Sequence, residues 1–197
     1  MSTPSQPVQD ARALGTDVLL RQCLGAEADQ LFKSVNSSIR RLFEMPAGSP
    51  AHTQLHVVAE LVRRAAIEDL QHRRSLNNPK AVKEFLARHF LGYCEEHFVA
   101  FWLDAHNRLI AFEELFRGTL MQTSVYRREV VKWALKHNAS SVIFAHNHPS
   151  GVAEPSHADE LLTNNLKRAL ALVDVTVLDH IVVACGDTLS FAERGLL

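Results

Sequence analysis

The apolar residues of this chain keep a helical period up to Glu96 and then alternate between strand and helix patterns, and that change limits the folds open to it. From Glu27 to Phe43, the residues Ala28, Leu31, Phe32, Val35, Ile39, Leu42 and Phe43 recur at helical spacing. Val57, Val58, Leu61, Val62, Ala65 and Ala66 repeat that pattern, and the breaker cluster Met45-Pro46-Ala47-Gly48-Ser49-Pro50 between the two predicts a loop. A further helix is predicted from Asn78 as cap and Pro79 as first residue toward Phe90. Past Glu96, His97-Phe-Val-Ala-Phe-Trp-Leu103 reads as one continuous apolar run of strand length. Arg108 to Thr119 is a second, and the turn-like Asp104-Ala-His-Asn107 joins them as a hairpin. A helix from Tyr126 to His137, a short buried strand from Ser141 to Ala145, a helix from His157 to Val173 and strands near Val175–Ala184 and Thr188–Phe191 follow. Such alternation predicts an α/β fold, a mixed sheet flanked by helices, preceded by a small all-helical N-terminal module. The expected division is a flexible N-terminus over 1–13, a helical module over 14–75 and the α/β domain over 76–197, with the linker near 70–78.

Composition excludes some function classes. With 47% hydrophobic and 22% charged residues, the chain reads as an ordinary soluble globular protein, and a net charge of -1 gives no global reason to bind nucleic acid. No run reaches membrane-spanning length and the first twenty residues lack a leader pattern, so no membrane partner is expected. Cys23, Cys94 and Cys185 are too scattered for a disulfide framework or a thiolate metal knot, which fits a reducing cytoplasm.

The chemistry concentrates at His146-Asn147-His148, where a buried strand runs out into the loop Pro149 to Pro155. Two histidines separated by one residue on an extended backbone point the same way, so both rings can reach one ion. Asp159, at the start of the next helix, can be folded back by the loop as a third ligand. Two imidazoles and a carboxylate suit a single Zn2+, and three protein ligands leave a coordination position for water. Asp159 also has a structural reading, because Ser156-His-Ala-Asp159 is close to a capping box. A hydrolytic site further needs a general base. Glu95, Glu96, Glu113, Glu114, Glu154 and Glu160 are all chemically competent, and spacing does not choose among them. His180, beside Ile181, Val182 and Val183, reads as a core histidine or as a group orienting a ligand from behind. The paired arginines 40/41, 63/64, 73/74 and 127/128 read as solvated helix faces.

These residues resemble a known family. His146-x-His148-Pro149 followed by Ser156 and Asp159 is similar to the JAMM motif of the JAB/MPN metallopeptidases, and the wider text resembles the bacterial RadC subfamily. The matching stretches are Arg108-Leu-Ile, Glu114-Leu-Phe-Arg-Gly-Thr119, Arg128-Glu-Val-Val-Lys132, His146-Asn-His-Pro-Ser-Gly151, Pro155-Ser156, Asp179-His180 and Ser190-Phe-Ala-Glu193. The resemblance implies an MPN/cytidine-deaminase-like sheet and a zinc metallohydrolase cleaving a peptide or isopeptide bond in a peptide or protein substrate. It implies Glu96 as general base, with Glu95 one register step away, and Ser156 as the donor to the tetrahedral oxyanion. The other function it implies is a DNA- or protein-binding accessory factor with a structural metal, in line with the family's historical link to DNA repair. Family members also carry an N-terminal helix-hairpin-helix module with a Gly-x-Gly turn. The region Ala47 to Leu55 here has only Gly48 among prolines, a degenerate version that weakly supports phosphate capture.

Overall fold

Serine caps set the starts of two helices of the N-terminal part, at Ser38 and Ser49. In the computed structural model, which describes residues 10–45, 48–72, 75–76, 78–118 and 125–197, this part holds Thr16–Leu24 (α1), Ala28–Ser34 (α2), Ile39–Glu44 (α3) and Pro50–Gln71 (α4). The helical periodicity between Glu27 and Phe43 is broken where Asn36 and Ser37 adopt φ of 54° and 56°, a left-handed turn that small polar residues tolerate. Ser38 then accepts a hydrogen bond from Arg41 N and restarts the helix. Short apolar stretches made α1 illegible in the sequence. Pro50, expected in the loop, is instead the first residue of α4, and the Ser49 hydroxyl accepts from His52 N. Leu20, Leu24, Ala28, Val35, Leu42 and Leu55 form the core here. On α4, Val57, Val58, Leu61 and Val62 are exposed, while His52 and Leu55 are buried. Periodicity identifies an apolar stripe, but not whether anything covers it. The chain divides into two compact units, Met1–Leu61 and Val62–Leu197. The expected flexible lead-in lies mostly outside the described residues, as do Pro46, Ala47, Arg73, Arg74 and Asn77.

The second unit is a mixed sheet between two helical layers, as the alternating pattern predicts. After Pro79–His89 (α5) come His97–Leu103 (β1), Leu109–Arg117 (β2), Arg127–Lys136 (α6), Ser141–Asn147 (β3), His157–Ala171 (α7), Thr176–Ala184 (β4), Asp187–Ser190 (β5) and Phe191–Arg194 (α8). The strand order is β2-β1-β3-β4-β5, with β3 and β4 parallel and every other pair antiparallel. The parallel pair follows from the crossover through α7. Strand alternation splits the sheet's side chains between two cores. Val99, Phe101, Leu103, Ile143, Ala145, Ile181 and Val183 face Val82, Phe85 and Leu86 of α5. Phe98, Ala100, Trp102, Val142 and Phe144 face α6 and α7. Leu76, expected in the linker, is buried in the first of these cores and donates its N–H to Asn107 O at 2.7 Å.

One irregularity decides what the second core contains. Val142 pairs with Val177 but Ile143 pairs with Asp179, so Leu178 is an extra residue in β4. A bulge of one residue inverts the facing of all that follows. Val177 lies on the α6/α7 side; without the bulge His180 would face α5, and with it the ring lies against Phe98, Phe144 and His146. Among the described residues no helix is long and apolar enough to cross a membrane, and the three cysteines are free thiols.

Candidate metal centre

The end of β3 delivers two imidazoles. His146 lies within the strand and His148 one residue past it, and their Nε2 atoms are 2.9 Å apart. Asp159 reaches them from the first turn of α7, with Oδ1 3.3 Å from His146 Nε2 and Oδ2 3.5 Å from His148 Nε2. These ligand atoms lie close enough together to hold one metal ion. Asp159 is 1% exposed, yet its Oδ1 has no hydrogen-bond partner, a costly state for a buried carboxylate oxygen unless a cation completes it. The capping box read from the sequence is present as well. Asp159 Oδ2 accepts from Ser156 N at 2.7 Å and from the Ser156 hydroxyl at 2.6 Å, while Asp159 N donates back to Ser156 Oγ. One carboxylate therefore serves both duties, one oxygen to each.

The hydrogen bonds behind the histidines determine which nitrogens carry protons. Val152 O only accepts, so His148 Nδ1, 2.9 Å away, donates to it and Nε2 of the neutral ring keeps its lone pair. Thr163 Oγ1 donates to Asp159 O at 2.6 Å, so it accepts from His180 Nδ1, also at 2.6 Å. His180 Nε2 is then an acceptor, and His146 Nδ1 donates to it across 2.8 Å. That leaves His146 Nε2 with a lone pair too. Burial keeps His180 neutral by pushing its pKa well down, with the charges of His146 and His148 adding to that push. Burial opposes ionisation of Asp159, but positive charge on His146 and His148 whenever they are protonated, together with the hydrogen bond from Ser156, outweighs it and holds the carboxyl well below the usual range. Two lone pairs and an anionic oxygen thus converge on one point, and the donor set fits a divalent cation.

The structure also separates the competing carboxylates. Glu95 pairs with Arg117 at 2.8 Å on the surface, Glu113 lies 3.1 Å from His137, Glu114 takes His97 Nδ1 at 2.8 Å and Glu154 pairs with Arg194 at 2.7 Å. Glu96 is half-buried just before β1. Phe98 pairs with His146 across β1 and β3, and continuing that antiparallel register by two residues sets Glu96 opposite His148 on the same face. The Asp159 carboxylate 3.5 Å from Nε2 favours the protonated ring and raises the His148 pKa, and the negative charge of Glu96 adds to the rise.

His180, the sixth residue singled out from the sequence, backs His146 and is stacked on Phe191 at 4.7 Å. Asp179 holds that stack: its carboxylate accepts from Ser190 Oγ, Ala192 N and His180 N, tying β4 to the start of α8. Thr163 and Asn147 escaped the sequence reading. Thr163 was findable, being one helical turn beyond Asp159 on the buried stripe of α7.

Comparison with known proteins shows the family. The family model described as "RadC-like JAB domain" matches residues 76–196. A UPF0758 protein of Nitrosospira multiformis is 58% identical over 155 residues, covering 78% of this chain and 69% of that protein. One from Nitrosomonas eutropha is 53% identical over 168 residues, covering 85% and 75%. One from Albidiferax ferrireducens is 56% identical over 150 residues, covering 76% and 64%.

Proposed function

This chain belongs to the RadC-like JAB domain family, and from that premise we propose that it is a zinc-dependent hydrolase of amide-type bonds, peptide or isopeptide. The observation that carries the reading is the convergence of His146 Nε2, His148 Nε2 and the unpartnered Asp159 Oδ1, with Glu96 in register beside them. Zinc held by these three would supply Lewis acidity and bring a coordinated water's pKa toward neutrality. Glu96 takes the proton of the attacking water and later hands it to the leaving amine, a role suited to a carboxylate beside the metal and half open to solvent. Ser156 donates to the oxyanion of the tetrahedral intermediate. To do so its hydroxyl turns away from Asp159 Oδ2, which keeps the Ser156 backbone N–H. Support also comes from the chain of Thr163, His180 and His146, which holds the first ligand in the tautomer that metal binding requires.

The test starts with zinc content of the purified chain, then compares hydrolysis of a mixed peptide library by the zinc-loaded and chelator-treated forms. Failure to bind zinc at micromolar concentration sinks the reading, as does cleavage that a chelator leaves untouched. His180→Ala removes the acceptor behind His146 and is expected to weaken zinc affinity about 10- to 100-fold. Competition against a chromophoric chelator measures it, and wild-type affinity in this variant would mean that His180 only fills the core.

A further inference from the structure

We propose that Asn147, the residue between the two histidines, is the positioning residue for Glu96. The register between β1 and β3 ends at Phe98 and His146, and beyond it the His97 N–H and the Glu95 carbonyl meet a side chain instead of a backbone partner on β3. The Asn147 side chain replaces that partner. Its Oδ1 accepts the N–H of His97 at 2.8 Å, and its Nδ2 donates to the carbonyl of Glu95 at 2.8 Å. The orientation of the amide follows from its partners, since a backbone N–H only donates and a carbonyl only accepts. Both bonds flank Glu96, one on the residue before it and one on the residue after. From the opposite side Gly118 N donates to Glu96 O at 2.9 Å. Glu96 lies outside the regular strand and is nevertheless held from both neighbouring strands.

The chemistry singles out asparagine. Asn147 is 4% exposed, so its amide is committed to these contacts rather than to water. An aspartate there would set a second oxygen against the Glu95 carbonyl, and a shorter side chain would satisfy one group and orphan the other. On its other side the segment pairs with β4, Asn147 opposite Val183, and His148 N donates to Val183 O at 2.8 Å. Three consecutive residues then carry a ligand, the support of the base and a second ligand, so the distance from base to metal is set by one short stretch of backbone. Misplacing a reacting group by about 1 Å costs roughly 100-fold in rate, which is the scale of advantage such a link provides.

This inference rests on the hydrolase reading for its catalytic meaning, and its test separates the two. The full chain is labelled with 13C at glutamate Cδ, the Glu96 signal is assigned with Glu96→Gln, and its shift on adding zinc is compared in wild type, Asn147→Ala and Asn147→Asp. Both Asn147 variants are expected to keep zinc affinity within about threefold, because the ligands and the groups behind them remain, and to lose at least half of the Glu96 shift. On a peptide that the wild type cleaves, kcat falls about 100-fold while KM holds. A Glu96 response equal to wild type overturns the proposal, and so does loss of zinc with Glu96 unaffected. Amide exchange in the unmutated chain decides the matter even when neither variant folds. His97 N–H must be protected like the strand interior, and exchange at the rate of an exposed loop also overturns it. A wild type that binds zinc and cleaves nothing defeats the hydrolase reading alone, because the carbon shift and the exchange rate still report on Asn147.

Discussion

Glu96→Gln is expected to retain zinc at the wild-type level and to lower hydrolysis about 100- to 10,000-fold, the range typical of losing a general acid-base group. Glutamine keeps the length and the hydrogen-bonding end of glutamate but cannot take a proton from the attacking water. No ligand is touched, because His146, His148 and Asp159 come from β3 and α7, whereas Glu96 precedes β1. Glu95→Gln is the matched control. It lies one residue away, paired with Arg117 on the surface, and should leave the rate near wild type. Zinc content by elemental analysis and initial rates on one cleaved peptide give both numbers. An unchanged rate in Glu96→Gln removes the base assignment, and a loss in Glu95→Gln alone transfers it by one residue.

The second large effect is on stability, at a site on the α5 face of the sheet, opposite the face that carries His146 and His180. His89, at the end of α5, is 7% exposed, and its Nδ1 has no hydrogen-bond partner. Its ring stacks on Phe85 at 5.4 Å and meets the edges of Phe90, Tyr93 and Phe112. Burial, with the charges of Arg63 and His97, pushes its pKa from 6.5 down to about 3. Above pH 6.5 the ring is neutral in both folded and unfolded chains, and stability is unaffected. As pH falls from 6.5 toward 3 only the unfolded chain takes the proton, so stability is lost across that window and no further below it. The full loss is about 5 kcal/mol, and about 3 kcal/mol of it is reached by pH 4. His89→Phe places another aromatic ring in an aromatic cluster and is expected to remove that slope. Urea unfolding at pH 7 and pH 4, with chelator present, measures it through Trp102 and Trp133, both in the second compact unit. His180 contributes a slope of the same sign in both proteins, so the difference between them isolates His89. Equal pH dependence in the two would show that His89 is not the group responsible.

Much of the candidate site was legible as residue types. The His146-Asn-His148 spacing implies two rings on one face of an extended segment because strand side chains alternate, and Ser156 to Asp159 implies a helix start because the spacing suits a capping box. The mixed sheet flanked by helices followed from the change of apolar period after Glu96. The helical spacing over Glu27–Phe43 does not reveal the break between α2 and α3, since apolar spacing survives a tight left-handed turn at Asn36 and Ser37. Residues that act through another group were the harder class. Asn147 has nothing distinctive in sequence, because its partners are backbone atoms of Glu95 and His97, fifty residues earlier in the chain.

By itself the sequence determined which side chains can bind a cation and which segments are strands and helices, because those follow from local chemistry and local periodicity. Only the tertiary structure decided that the charge of Glu96 acts on His148 and that His180 lies against His146. The first depends on the register between β1 and β3, and the second on the single extra residue at Leu178. Register and bulges are properties of two paired strands, so neither is encoded in the pattern of one.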